Sequence, residues 1–326
     1  MPMTSVHKDT QTLQMTIVAD FSVPVQRLWD AYADARQIEK FWGPVSWPAT
    51  FTRHDFAPGG LSTYDMTGPE GERSGGYWEF LSVDPGRSFE VLDGFTDADG
   101  NPDRDQPTMR MVYEFTETGA GSRFTATTYF NSADELDKLL SMGMEEGLRS
   151  AMSQIDDVVT DLASFSADLP FQAQILSDTQ VRFSRVVRGT PEQVWHAQQD
   201  PELLRRWLLG PDGWTMTDCE VATQVGQTFR YAWAPDDGSA AGFALTGELL
   251  EADPPHRILQ TESMEGMEGP PTLNDQTLIP VQGGTLLTLV ITYANAQMRD
   301  AILATGMTDG MEASYARLER AVLTAA

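Results

Sequence analysis

The chain has 326 residues, 41% of them apolar, and its 48 acidic against 22 basic residues give a formal net charge of −26. That length exceeds one typical core and suits two domains, while the charge repels phosphate backbones and anionic lipid and so argues against nucleic-acid binding and membrane-surface roles. A single cysteine, Cys219, leaves no intrachain disulfide and fits a reducing compartment. No apolar run approaches the ~20 residues of a membrane span, and Met1–Gln14 lacks the apolar core of a signal peptide. The expectation is a soluble cytoplasmic protein with no membrane insertion.

Taken in order, Gln14–Phe21 reads as a strand and Val25–Ala33 as a short helix, and a second short helix reaches Phe41-Trp42 before Gly43-Pro44 stops it. Ser62, Tyr64 and Met66 alternate onto one strand face. Turns at Gly68-Pro69, Asp84-Pro85-Gly86, Asp99-Gly100-Asn101 and Gly119–Gly121 separate the β-rich runs Gly76–Val83, Phe89–Leu92, Arg110–Thr116 and Arg123–Phe130. Leu136–Leu162 then carries Leu140, Met144, Leu148, Ile155 and Val159 on one helical face.

The second half repeats this order. Thr179–Val187 is the strand, and Thr190-Pro191-Glu192-Gln193 resembles a capping box opening the first short helix. Leu28-Trp29 corresponds to Val194-Trp195, Gly43-Pro44 to Gly210-Pro211, Tyr64 to Tyr231, Asp84-Pro85 to Asp253-Pro254 and Tyr129 to Tyr293. Ile302–Val322 echoes the long helix, with Gly306, Met307 and Gly310 standing where Gly143, Met144 and Gly147 stand in the first. A helical glycine costs roughly 1 kcal/mol against alanine, so the glycine pairs need a reason. Either the helix approaches a sheet closely or room is left above it for a guest. Each copy is long enough to be a domain rather than a solenoid unit. The boundaries are 1–165 for the first domain, 166–177 for a linker and 178–326 for the second.

Strands joined by tight turns imply an antiparallel sheet, and one long amphipathic helix must bury its apolar stripe against it. The predicted class is α+β: two tandem grip-shaped domains, each a curved antiparallel sheet on a long C-terminal helix with two short helices, in intramolecular contact. The apolar-Trp pair after a Pro, the aromatic before Gly-Pro, Pro58-Gly59-Gly60 or Val225-Gly226 before an aromatic strand, Asp-Pro before a strand, and the Gly-Met helix recur in this order twice. In these features the chain resembles the helix-grip superfamily of START domains, Bet v 1 and polyketide cyclases (SRPBCC). Within it, the chain is similar to the branch of the C-terminal domain of the activator of Hsp90 ATPase. The resemblance implies a cavity for a lipid, hormone or polyketide rather than a fixed reaction, and some members accompany antibiotic pathways, including enediyne ones. The activator itself pairs one such domain with a different N-terminal domain, whereas both halves here are of the cavity type.

No motif for a metalloprotease, serine hydrolase, phosphate loop or paired CxxC is present. With four histidines and one cysteine, no metal or cofactor is implied. His54, in Arg53-His54-Asp55, places a base near a carboxylate, but strand alternation turns His54 away from Arg53 and Asp55. Asp97, Asp99, Asn101 and Asp103 alternate like a calcium loop yet lack its closing Glu, with Pro102 and Arg104 intruding, so a charged hairpin tip is the preferred reading.

The aromatics carry more. In the first half Trp42, Trp47, Tyr64, Tyr77, Trp78, Phe95 and Tyr129, with Met144 and Leu148 on the helix, are the candidate ligand-binding residues. In the second they are Trp207, Trp214, Tyr231, Trp233, Phe243 and Tyr293, with Met307 and Met311. Such walls suit flat, partly polar molecules; alternatively the rings fill the hollow themselves. The expected function is non-catalytic binding, transport or sequestration of a hydrophobic, aromatic or polyketide-like molecule. The alternatives are a polyketide cyclase or aromatase and a chaperone-regulating interaction module.

Overall fold

The computed structural model describes residues 3–141, 144–160, 170–210, 213–267 and 269–321. The chain divides into two units, Met1–Phe165 and Ser166–Ala326. The first contains β1 (Met3–Asp9), β2 (Gln14–Phe21), α1 (Val25–Ala33), α2 (Ala35–Ile38), β3 (Ala49–His54), β4 (Leu61–Thr67), β5 (Arg73–Asp84), β6 (Ser88–Phe95), β7 (Met109–Thr118), β8 (Gly121–Tyr129), α3 (Ala133–Ser141) and α4 (Met144–Thr160). The second contains β9 (Gln172–Ile175), β10 (Gln180–Val187), α5 (Pro191–Gln199), α6 (Pro201–Trp207), β11 (Trp214–Glu220), β12 (Thr228–Pro235), β13 (Phe243–Asp253), β14 (Arg257–Met264), β15 (Thr272–Val281), β16 (Gly284–Thr292), α7 (Ala296–Leu303) and α8 (Met307–Ala321).

Each unit is one antiparallel sheet with the same strand order, β1-β2-β8-β7-β6-β5-β4-β3 and β9-β10-β16-β15-β14-β13-β12-β11. The repeat is therefore one of topology as well as of sequence. Two strands were not foreseen. β1 pairs with β2, and β9 pairs with β10, so part of the stretch expected as a linker belongs to the second sheet. The register also moves one correspondence. Phe130 N–H donates to Leu13 O at 3.0 Å and Tyr293 N–H donates to Thr179 O at 2.8 Å, so Tyr293 matches Phe130 and not Tyr129. A slip of one residue reverses which face a strand residue occupies.

The helix starts follow their sequence signals. Thr190 and Gln193 form the reciprocal capping box, with Thr190 N–H donating to Gln193 Oε1 at 2.9 Å and Gln193 N–H donating to Thr190 Oγ1 at 3.3 Å. Gly43 and Gly210 take φ of +90° and +78°, the left-handed conformation of the turns that follow the short helices, where a Cβ would be strained. The expected single long helix of the second unit is instead two, because Gly306 sits at φ +80° between α7 and α8. In the first unit α3 and α4 lie on either side of 142–143, so Gly143 falls outside the described residues.

In the first unit, alternation on the strands sends rings inward until they touch. Trp29, Tyr32, Trp78, Phe89, Tyr113 and Phe124 are buried, with Phe89 stacked on Tyr113 at 4.4 Å and Tyr32 on Phe124 at 5.3 Å. Asp93 on β6 sits among them. Trp78 Nε1 donates to its Oδ2 at 2.8 Å. Burial drives the Asp93 pKa up to about 7, and hydrogen bonding from Trp78 and Tyr64 offsets only part of that rise.

Two expectations follow. Gly306→Ala should cost about 1 kcal/mol because φ is positive there. Gly310→Ala should raise stability by up to about 1 kcal/mol, since a Cβ there has no heavy atom within 4 Å. Denaturant midpoints of the two variants should move in opposite directions; movement in the same direction would contradict the assigned break between α7 and α8. The second concerns pH. Asp93 binds its proton more tightly folded than unfolded, so the stability it contributes is present below the ordinary Asp pKa of about 4 and is lost as pH rises towards about 7. Urea titrations of the full chain should show the first unit weakening over that window in the wild type, and less so in Asp93→Asn.

Candidate functional site

The second unit is built on the same frame with smaller and more polar inward side chains. Matching registers place Glu262 where Asp93 stands: Asp93 pairs with Met109 across β6–β7, and Glu262 with Thr272 across β14–β15. Opposite Asp93 on the preceding strand is Trp78, whereas the register of β13 and β14 puts Gly247 opposite Glu262. Tyr113 pairs with Phe89, and Gln276 takes the corresponding place opposite Ile258. Tyr32 on α1 has Gln198 on α5 as its equivalent. The first unit's Tyr32–Tyr113 ring pair, 5.9 Å apart, thus becomes two side-chain amides bonded reciprocally at 2.7 and 3.3 Å.

The result is a cavity of about 370 Å³ between sheet and helix. One wall is α8, through Met307, Gly310, Met311, Ser314 and Tyr315. Gly310 leaves open space where a side chain would project. Aromatic rings line it further: Trp207 from α6, packed against Tyr315 at 5.5 Å, with Tyr231 and Trp233 from β12 and Phe243 from β13. These rings are anchored. Trp233 stacks on Phe243 at 5.0 Å and donates its Nε1–H to Leu208 O at 2.8 Å, and Trp207 donates to Ala197 O at 3.0 Å. The polar lining is a file along β14 and β15: Gln260, Glu262, Asn274 and Gln276, with Gln198 facing it from α5.

Among the described residues Glu262 is the one carboxylate of the lining, and none of them there is Lys, Arg or His. Burial raises its pKa above the usual carboxylate range, and a hydrogen bond with the Asn274 side chain works against that rise. The Tyr231 hydroxyl is also pushed up, by burial first and then by the neighbouring Cys219 and Glu262. Tyr293 is raised to about 12 by burial and then by Glu262. A negative charge here is poorly solvated and felt by its neighbours, as in a water-poor hollow.

Of the residues proposed from sequence, Trp207, Tyr231, Trp233, Met307 and Met311 line this cavity together, as does Phe243. Trp214 stands behind Phe243 at 5.6 Å, and Tyr293 is buried but off the lining. In the first unit Tyr64 and Trp78 are buried, and Trp42 meets Trp78 edge-on at 4.6 Å. A Cβ on Gly68 would press on the Trp47 ring, so Trp47 packs against that turn. Phe95 is 39% exposed, and Tyr129 lies beneath the Arg110 guanidinium at 4.5 Å, away from the buried positions of β8. The side chains of Met144 and Leu148 lie outside the described residues.

His54 is buried with both ring nitrogens engaged, Nε2 donating to the Tyr32 carbonyl at 2.8 Å and Nδ1 accepting from Ser62 Oγ at 2.8 Å. Arg53 pairs with Asp55 at 3.6 Å. In the acidic loop, Asp97 Oδ1 accepts from the Asp99 and Asn101 amides and Asp103 Oδ1 from that of Asp105, so these oxygens close turns. Among the described residues no group of three or more His, Cys, Asp or Glu is arranged to hold a metal ion. No helix among them is long and apolar enough to cross a membrane.

Sequence reading missed the polar file. A signal existed: Gln260 and Glu262 share a strand face with core Ile258, and Asn274 and Gln276 with core Leu278, which puts amides and a carboxyl on an inward face.

Three solved structures resemble half of this chain each. A protein from Mycobacterium smegmatis is 51% identical, covering 49% of this chain and 98% of its own, with a TM-score of 0.46. One from Arthrobacter aurescens is 39% identical over 48% and 91%, with a TM-score of 0.46. One from Rhodobacter sphaeroides is 36% identical over 48% and 100%, with a TM-score of 0.45. No curated protein matches the chain. The family model described as "Activator of Hsp90 ATPase homolog 1-like protein" matches residues 22–160 and again 188–322. The chain therefore belongs to the Activator of Hsp90 ATPase homolog 1-like family, whose domain it carries twice in tandem.

Proposed function

We propose that the second unit binds a flat, largely apolar small molecule with polar groups at one edge and holds it without transforming it. The observation that carries this reading is the hollow beneath α8, where small and amide side chains replace the buried rings of the first unit. Its volume, about 370 Å³, falls in the range of about 300–1,000 Å³ typical of small-molecule sites. Rings on one side would remove a ligand's apolar faces from water at roughly 25 cal/mol per Å². The amide file would fix its orientation, because an unmatched buried polar group is costly. Aromatic polyketides and molecules of similar shape match this division. On this reading the first unit, with its ring-packed wall, serves as the stable partner copy.

One observation favours a second reading, a cyclase or aromatase: Glu262 supplies an acid or base inside the hollow. A single carboxyl with no second titrating partner in hydrogen-bond contact offers one proton-transfer group, so binding is the reading we adopt.

A fluorescence titration with the neutral aromatic probe N-phenyl-1-naphthylamine tests this. Met307→Trp and Gly310→Leu each place bulk in the hollow, and each should weaken binding at least tenfold, about 1.4 kcal/mol. Melting temperatures should stay within about 3 °C of wild type, less than a 1 kcal/mol core defect in a unit of this size would produce. Unchanged affinity in both variants would remove the cavity from consideration.

A further inference from the structure

The two units treat an equivalent buried carboxyl differently. In the first, Asp93 receives the indole N–H of Trp78 at 2.8 Å and interacts with the Tyr64 hydroxyl. The protein itself thus places a flat aromatic N–H donor against the acid. In the second, the residue opposite Glu262 is Gly247, which has no side chain to donate. A Cβ on Gly247 would collide with the Thr261 carbonyl oxygen and lie 2.7 Å from the Phe229 ring, so the space directly over Gly247 is already filled. Among the described residues Asn274 is the one side chain whose hydrogen bonding acts on Glu262, no salt bridge reaches it, and the lining contains no cation. A buried carboxylate is ordinarily paired or hydrogen-bonded several times over, and here part of that complement faces open cavity.

We infer that the cavity of the second unit is selective for aromatic compounds bearing a basic nitrogen, whose N–H⁺ donates to Glu262 from the cavity side, as the Trp78 indole donates to Asp93 in the first unit. The inference rests on the binding role proposed above and names the ligand class for that site. The aromatic body would lie against Trp233, Tyr231 and Trp207, whose ring faces also attract a cation. An aromatic carboxylate would meet Glu262 as a like charge and be rejected.

The test compares three ligands of one shape on the full chain by calorimetry: 1-naphthylmethylamine, 1-methylnaphthalene and 1-naphthoate. It is run at about pH 8, between ordinary carboxyl and alkylammonium pKa values. The ammonium should bind at least tenfold more tightly than the neutral compound, and the carboxylate most weakly. In Glu262→Gln the ammonium and the neutral compound should come within about threefold of each other. Glu262→Met provides the same comparison should the glutamine variant fold poorly. Equal affinity for ammonium and neutral ligand in the wild type overturns the inference while leaving the binding role intact. A preference that survives removal of Glu262 also overturns it, and assigns the effect to the overall negative field. Failure of all three to bind overturns the binding role and the inference together.

Discussion

Everything distinctive about this protein turns on how a carboxyl group is accommodated in the middle of an apolar sheet face. A carboxylate taken out of water must find donors or keep its proton. The first unit solves this with indole and phenol, and the rings that do so also fill the space around it. The second unit keeps the acid, omits the indole, and opens a volume where Gln198 and Gln276 stand in place of rings. The presence of a hollow and the presence of an under-satisfied acid are two aspects of the same exchange.

The exchange needs few positions because the frame is rigid. Both units share one strand order and one register around the acid, so a residue changed on β13, β15 or α5 alters what the interior contains without moving the strands. Replacing Trp78 by Gly247, Tyr113 by Gln276 and Tyr32 by Gln198 converts stacked rings into an amide-lined wall. Main-chain pairing and helix caps hold the fold, which leaves inward side chains free to diverge. Duplication makes this tolerable, since one copy can remain fully packed.

Much of the fold was legible in the sequence because its signals are local. Thr190 and Gln193 announced a helix start, Gly43 and Gly210 announced helix ends, and the double series of landmarks announced the repeat. Strands β1 and β9 were not legible, because edge strands need only one partner and their pattern is weak. The break at Gly306 was hidden because a helix-spaced apolar face continues across it from Leu303 to Met307. At the site, the aromatics Trp207, Tyr231 and Trp233 were found because large rings are conspicuous. Gln260, Glu262, Asn274 and Gln276 were not, because polar residues in strands are assigned to solvent by default. Which rings pack against one another and which face a hollow is decided by the residue across the strand pair, and that information is non-local.

Strand β9 has a practical consequence for dissecting the molecule. The residues between the two repeats contribute Gln172–Ile175 to the second sheet, and just ahead of them Phe171 stacks between Phe183 and Tyr315, at 5.6 and 5.4 Å. Its amide also donates to Glu312 on α8 at 2.7 Å. A C-terminal fragment begun at residue 178, the boundary expected from sequence, would expose a bare sheet edge and leave a ring-sized gap beside the last helix. Such an edge invites intermolecular strand pairing, so a fragment cut there would aggregate for reasons unrelated to ligand, and the scissile point belongs ahead of the tail that carries Phe171.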